Sequence, residues 1–127
     1  MQFSFSSALF ILTTTFAMFT QAAPVPNIRA RSSMSGGATF YSVGLGSCGY
    51  SNSNEEMVAA LSASLMGGAN SALCGKSITV KSSSGSVTLK VVDSCPGCSE
   101  GDVDMSEAAF KKIGDPAQGR IPITWSL

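Results

Sequence analysis

The chain has 127 residues, a length for one domain, with eight basic residues, eight acidic residues and no histidine. The missing histidine excludes Ser-His-Asp and Cys-His catalysis and any histidine-ligated metal site. From Ser32 onward six basic residues stand against eight acids without forming a basic patch, which excludes nucleic acid as the expected partner.

Residues 3–19, FSFSSALFILTTTFAMF, carry no charge and hold five of the seven phenylalanines. Thr20-Gln21-Ala22 then offers the small residues a signal peptidase requires, so residues 1–22 read as a cleavable signal peptide and the protein as secreted. The apolar run is broken by Thr13-Thr14-Thr15, whereas a spanning helix needs ~20 mostly apolar residues. No membrane contact is expected once the signal is removed. Residues 23–36 are rich in Pro, Arg, Ser and Gly and read as a pro-like flexible linker, with Arg29-Ala30-Arg31 as a basic processing step. The domain proper is expected at residues 37–127.

Ala38–Val43 reads as the first strand. Asn54 is placed as a helix N-cap, with Glu55 and Glu56 in the first turn where the helix dipole favours acids. Met57, Val58, Leu61 and Leu65 then form an apolar stripe, so a helix is expected up to Gly67-Gly68. Ser77–Lys81 and Ser86–Val92 read as a hairpin across Ser82-Ser83-Ser84-Gly85. Ser106 caps a second short helix, with Met105 and Phe110 as a hydrophobic staple, and the helix stops at Gly114. Ile121, Ile123 and Trp125 alternate in a last strand, whose Pro122 places it at an edge or bulge. Short strands with few helices predict a small closed barrel.

Only five aromatic residues follow the signal, so the core is thin and covalent help is expected. Cys48, Cys74, Cys95 and Cys98 form an even set in an oxidising compartment, hence two disulfides. Three pairings exist. The close spacing of Cys95 and Cys98 favours Cys95–Cys98 with Cys48–Cys74. A redox Cys-x-x-Cys and a four-cysteine zinc site are the alternatives. The first lacks the usual strand-to-helix setting and the second lacks a second close pair. No metal and no cofactor are expected.

Six motifs occur in order: Gly37-Ala38-Thr39-Phe40-Tyr41, Gly46-Ser47-Cys48-Gly49-Tyr50, Cys74-Gly75-Lys76, Val91-Val92-Asp93-Ser94-Cys95-Pro96-Gly97-Cys98, Asp104-Met105-Ser106 and Gly119-Arg120-Ile121-Pro122-Ile123-Thr124-Trp125. Together they resemble the rare-lipoprotein-A-like double-psi β-barrel superfamily in its small, single-domain fungal secreted form. Expansin N-terminal domains, barwin, kiwellins and a bacterial papain inhibitor share that fold. The resemblance spans roughly residues 36–127. It implies a mainly β fold, a six-stranded double-psi barrel with two short helices and an open groove.

Four positions match groove residues of expansins: Thr39 and Tyr41 in the first strand, Asp93 at the end of the middle strand, and Asp104. The resemblance makes Asp93 and Asp104 the candidate catalytic residues, Asp93 after lytic transglycosylases and Asp104 after a general acid of endoglucanases. Two carboxylates flanking a glycosidic bond suit retaining or inverting hydrolysis. A structural role competes for each: Asp93 accepting N–H bonds in the Cys95–Cys98 turn, Asp104 shaping the start of the Ser106 helix. Departures count against catalysis. Gly101-Asp102-Val103 stands where expansins have His-Phe, and Ser42 and Val43 follow Tyr41 where endoglucanases carry a second acid.

The functional expectation is a non-catalytic monomer acting at a cell wall or host–microbe boundary, binding polysaccharide or a secreted or host protein. Its alternatives are a protease inhibitor or effector, and a weak glycan-cleaving or wall-loosening enzyme using Asp93 or Asp104.

Overall fold

Strict alternation is clearest in the last strand, where Ile121, Ile123 and Trp125 are buried and Pro122 and Thr124 are exposed. The same period-two rule builds most of a closed barrel in this computed structural model, which describes Ala17 and residues 33–68 and 70–127. The expected signal peptide, apart from Ala17, and the linker up to residue 32 lie outside the described residues. No helix among the described residues is long and apolar enough to cross a membrane.

The described residues form six strands: β1 (Met34–Phe40), β2 (Val58–Ser62), β3 (Ser77–Lys81), β4 (Ser86–Cys95), β5 (Val103–Met105) and β6 (Ile121–Ser126). Two short helices, α1 (Ala63–Met66) and α2 (Glu107–Lys111), and a 3-10 turn at Pro116–Gln118 accompany them. The strands close in the order β1-β5-β2-β4-β3-β6. β1 with β5 and β2 with β4 run parallel, and the other four pairs are antiparallel. Closure leaves no free sheet edge to invite association.

The expected hairpin is β3–β4, but β4 runs on to Cys95. β1 starts at Met34, so residues 34–36, read as linker, pair with β6. Pro122 sits inside the closed barrel rather than at a free edge. It faces Gly37 of β1 and precedes the stretch of β6 that pairs with β3, so its missing N–H breaks no rung there.

The larger correction concerns residues 54–66. The expected helix is strand β2 followed by one turn of helix. All five β2 residues are buried, because its neighbours β4 and β5 flank it and cover lies on both faces. A strand buried on both sides shows no alternation, and Val-Ala-Ala-Leu then resembles a helix. Asn54 caps no helix: its side chain accepts the Val43 N–H at 2.7 Å.

Leu61, Ile78, Leu89, Met105, Phe110 and Ile113 fill the barrel, each buried side chain contributing about 1.5–3 kcal/mol. Phe110 meets Phe40 with ring centres 5.0 Å apart. Ser106 caps α2 by accepting the Ala109 N–H at 3.2 Å. Trp125 donates its indole N–H to the Gly101 carbonyl at 2.9 Å, fixing the segment before β5.

The disulfides are Cys48–Cys74 and Cys95–Cys98. Loop-closure entropy gives the first, spanning 26 residues, about 3.5 kcal/mol of stabilisation, and the second, spanning 3, about 1.6 kcal/mol. The first therefore carries more of the fold. The second mainly shapes what lies beside it.

Candidate groove across four strands

β5 places the site. Val103 and Met105 are buried in the barrel, so Asp104 between them faces outward. Its register partner on β1 is Thr39 and on β2 is Ala60. Ala60 is in turn the register partner of Asp93 on β4. Thr39, Asp104, Ala60 and Asp93 thus form one row across β1, β5, β2 and β4. Strands lie about 4.8 Å apart, so the backbones of Asp104 and Asp93 are roughly 9.5 Å apart. Ala60, which sequence reasoning missed, is the small residue between two acids.

Thr39 donates its hydroxyl to Asp104 Oδ1 at 3.0 Å. Burial raises the Asp104 carboxyl above the ordinary value, the Thr39 and Met105 hydrogen bonds oppose that rise, and the charge of Asp93 adds to it. Asp93 Oδ1 accepts two backbone N–H bonds, from Ser47 at 2.8 Å and Ser94 at 2.7 Å. This corrects the expectation that it would serve the Cys95–Cys98 turn: it instead ties down the loop at Gly46-Ser47. A Cβ on Gly46 would lie 3.1 Å from Asp93 Cβ and would strike the Val92 carbonyl, so that close approach requires glycine. Asp104 likewise turns to Thr39 and leaves the capping of α2 to Ser106.

Tyr41 continues β1 by donating its backbone N–H to the Met105 carbonyl at 3.0 Å. Its phenol oxygen is buried without a protein partner. Burial pushes the phenol up to about 12, and the charges of Asp93 and Asp104 add to that. Tyr41 therefore offers a neutral O–H near two carboxylates. The four sequence-predicted residues share one place.

The rim is closed by the Cys95–Cys98 disulfide. Its two sulfurs and a carboxylate oxygen of Asp104 lie within 4.8 Å of one another. Both sulfurs are committed to the disulfide and are not free thiolates for a metal. Two shallow concavities lie elsewhere, beside β6. One is lined by Ser35, Lys81 and Pro122, the other by Gly37, Asp102 and Arg120. Neither includes Thr39, Tyr41, Asp93 or Asp104.

A double-psi β-barrel family model described as "Lytic transglycolase" matches residues 33–125. The chain belongs to this family. Within the double-psi barrels it is 37% identical over 87 residues to "Allergen Asp f 7 homolog" of Arthroderma benhamiae, covering 66% of this chain and 30% of that protein. An "EG45-like domain containing protein" of Citrus jambhiri is 35% identical over 106 residues, covering 72% of this chain and 79% of that protein. The chain thus spans under a third of the allergen homologue and most of the citrus protein.

Among solved double-psi barrels, the Streptomyces papain inhibitor superposes with a TM-score of 0.68 at 30% identity, over 74% of this chain and 92% of the inhibitor. A mutant Clavibacter michiganensis expansin in complex with cellohexaose superposes with a TM-score of 0.67 at 35% identity, over 73% of this chain and 48% of the expansin.

Proposed function

We propose that this barrel is a secreted, non-catalytic module that binds a neutral polysaccharide along the row from Thr39 to Asp93. The observation that carries the reading is the unpartnered Tyr41 hydroxyl beside Asp93 and Asp104. A buried donor without a partner costs about 1–3 kcal/mol, and a turn of the phenol that brings its O–H to a sugar oxygen would recover that cost. The carboxylates supply acceptors for sugar hydroxyls, and the Tyr41 ring and the disulfide supply apolar surface. The solved expansin relative holding cellohexaose supports a glucan as ligand class.

The non-catalytic part rests on proton traffic. Glycoside hydrolysis needs an acid that protonates the leaving oxygen and a free carboxylate that acts as base or nucleophile. Asp104, raised by burial, suits the acid role. Asp93 already spends one oxygen on two backbone N–H groups, and the first strand supplies no other acid. Co-sedimentation with cellulose, chitin, β-glucan and peptidoglycan tests binding: retention on at least one, reduced by Tyr41→Ala, is expected. Retention on none of the four refutes the reading. Reducing-end release that Asp93→Asn abolishes would instead establish an enzyme.

A second reading, a protein-binding inhibitor, draws on one fact. The barrel matches 92% of the papain inhibitor but only 48% of the expansin. Titration of papain with the protein separates the two.

A further inference from the structure

Asp102 was not a candidate from sequence, yet it is the most constrained acid in the domain. Its residue is only 8% exposed. Oδ1 accepts the Gly37 N–H at 2.9 Å and an Arg120 guanidinium N–H at 2.8 Å, and Oδ2 accepts the Ser99 N–H at 3.0 Å. The Gly37 and Ser99 bonds end close to parts of the groove. Gly37 is two residues before Thr39. Ser99 directly follows Cys98 of the rim disulfide. Asp102 itself is two residues before Asp104. The first β1–β5 rung is Ala38 with Val103, so the Asp102–Gly37 bond adds a side-chain rung just ahead of the parallel ladder.

Arg120 completes the clasp from the start of β6. Its guanidinium lies across Gly37, where even a Cβ would sit 2.5 Å from Cζ. The arginine side chain is 59% exposed, so as a surface ion pair it adds little to global stability. Its geometric effect is larger. It holds one carboxylate against three separate segments: β1, the turn after the disulfide, and β6.

We infer that Asp102 and Arg120 are positioning residues for the groove, holding Thr39, Asp104 and the Cys95–Cys98 rim in binding register without touching the ligand. The inference deepens the proposed polysaccharide-binding reading and rests on it for the ligand. Loosening the clasp lets water reach Asp104, whose carboxyl is held up chiefly by burial. Asp93 and Tyr41 are the titratable groups that face it.

The test compares wild type, Asp102→Asn, Arg120→Gln, Arg120→Lys and, as a control destabilised on β3, which bears none of the groove residues, Ile78→Val. Carboxyl-carbon NMR follows the titration of Asp104, and calorimetry follows cellohexaose affinity. Asp102→Asn and Arg120→Gln should each lower the Asp104 titration midpoint. They should weaken cellohexaose by about tenfold, a difference of about 1.4 kcal/mol. Arg120→Lys should recover most of both, and Ile78→Val should lower the melting temperature with neither change.

Arg120→Gln is decisive because the loss of a positive charge alone would push Asp104 up, whereas loosening pulls it down. It also guards against a failure of Asp102→Asn to fold. An Asp104 titration that rises or stays put in folded Arg120→Gln overturns the inference. Should the wild-type protein take up no cellohexaose, the binding reading fails, while the Asp104 titration still decides the clasp.

Discussion

Replacing Thr39 with valine preserves shape, β-branching and strand preference, and removes one hydroxyl. That hydroxyl donates to Asp104 Oδ1 at 3.0 Å. A hydrogen bond to a charged group is worth about 1.5–3 kcal/mol, and one between neutral groups about 0.5–1.5 kcal/mol. Asp104 is half-buried, so the lower part of the first range applies, about 1.5 kcal/mol at pH 7. Asp104 titrates above its ordinary value of 3.8, and losing the Thr39 bond raises it further. As pH falls through that raised value the carboxyl becomes neutral in both proteins. The penalty of Thr39→Val should then shrink to about 0.7 kcal/mol. Urea denaturation at pH 7 and pH 3 measures both values, and carboxyl-carbon NMR reports the upward shift of Asp104. A penalty that is equal at the two pH values, or that grows in acid, would refute the assigned bond and the ionisation logic built on it.

Asp104→Asn should raise stability at neutral pH and weaken glycan retention together. The folded protein holds the Asp104 proton more tightly than the unfolded chain does, so the ionised carboxyl costs stability above its raised value, a cost lost as pH falls through it. Thermal melts from pH 3 to 8 beside a cellulose co-sedimentation series check both halves. Asp102 has the opposite sign. Its carboxyl is held below the ordinary value chiefly by the Gly37 N–H, so its stabilisation is present at neutral pH and is lost as pH falls through that lowered value. Asp102→Asn should therefore flatten the acid limb of the stability curve. Gly46→Ala should push the loop off Asp93, breaking the Ser47 bond and costing about 1–2 kcal/mol. The Ser47 amide proton would show faster exchange.

What could be read from sequence divides along physical lines. The hairpin β3–β4 and the strand β6 were visible because one face of each is buried and the other is wet. Ser106 was visible as a cap because capping is local. β2 was not, since a strand enclosed on both faces erases the period that marks it. The candidate groove residues came from an ordered set of motifs, and the register of β1, β5, β2 and β4 sets Thr39, Asp104 and Asp93 in one row. Ala60 left no signal: an alanine in an apolar run carries no chemistry, and its importance comes from the acids on either side. Asp102 entered only as part of a departure from the expansin pattern, Gly101-Asp102-Val103. Its partners Gly37 and Arg120 lie 65 and 18 residues away, so only the folded chain reveals that it binds three segments.

Polysaccharide binding along the row from Thr39 to Asp93 is the proposed function. Titrating the 15N-labelled protein with cellohexaose tests it most directly. Saturable shifts centred on Thr39, Tyr41, Ala60, Asp93 and Asp104, abolished by Tyr41→Ala, are expected. Shifts confined to another face of the barrel, or none at millimolar cellohexaose with chitin and β-glucan fragments equally silent, would contradict it.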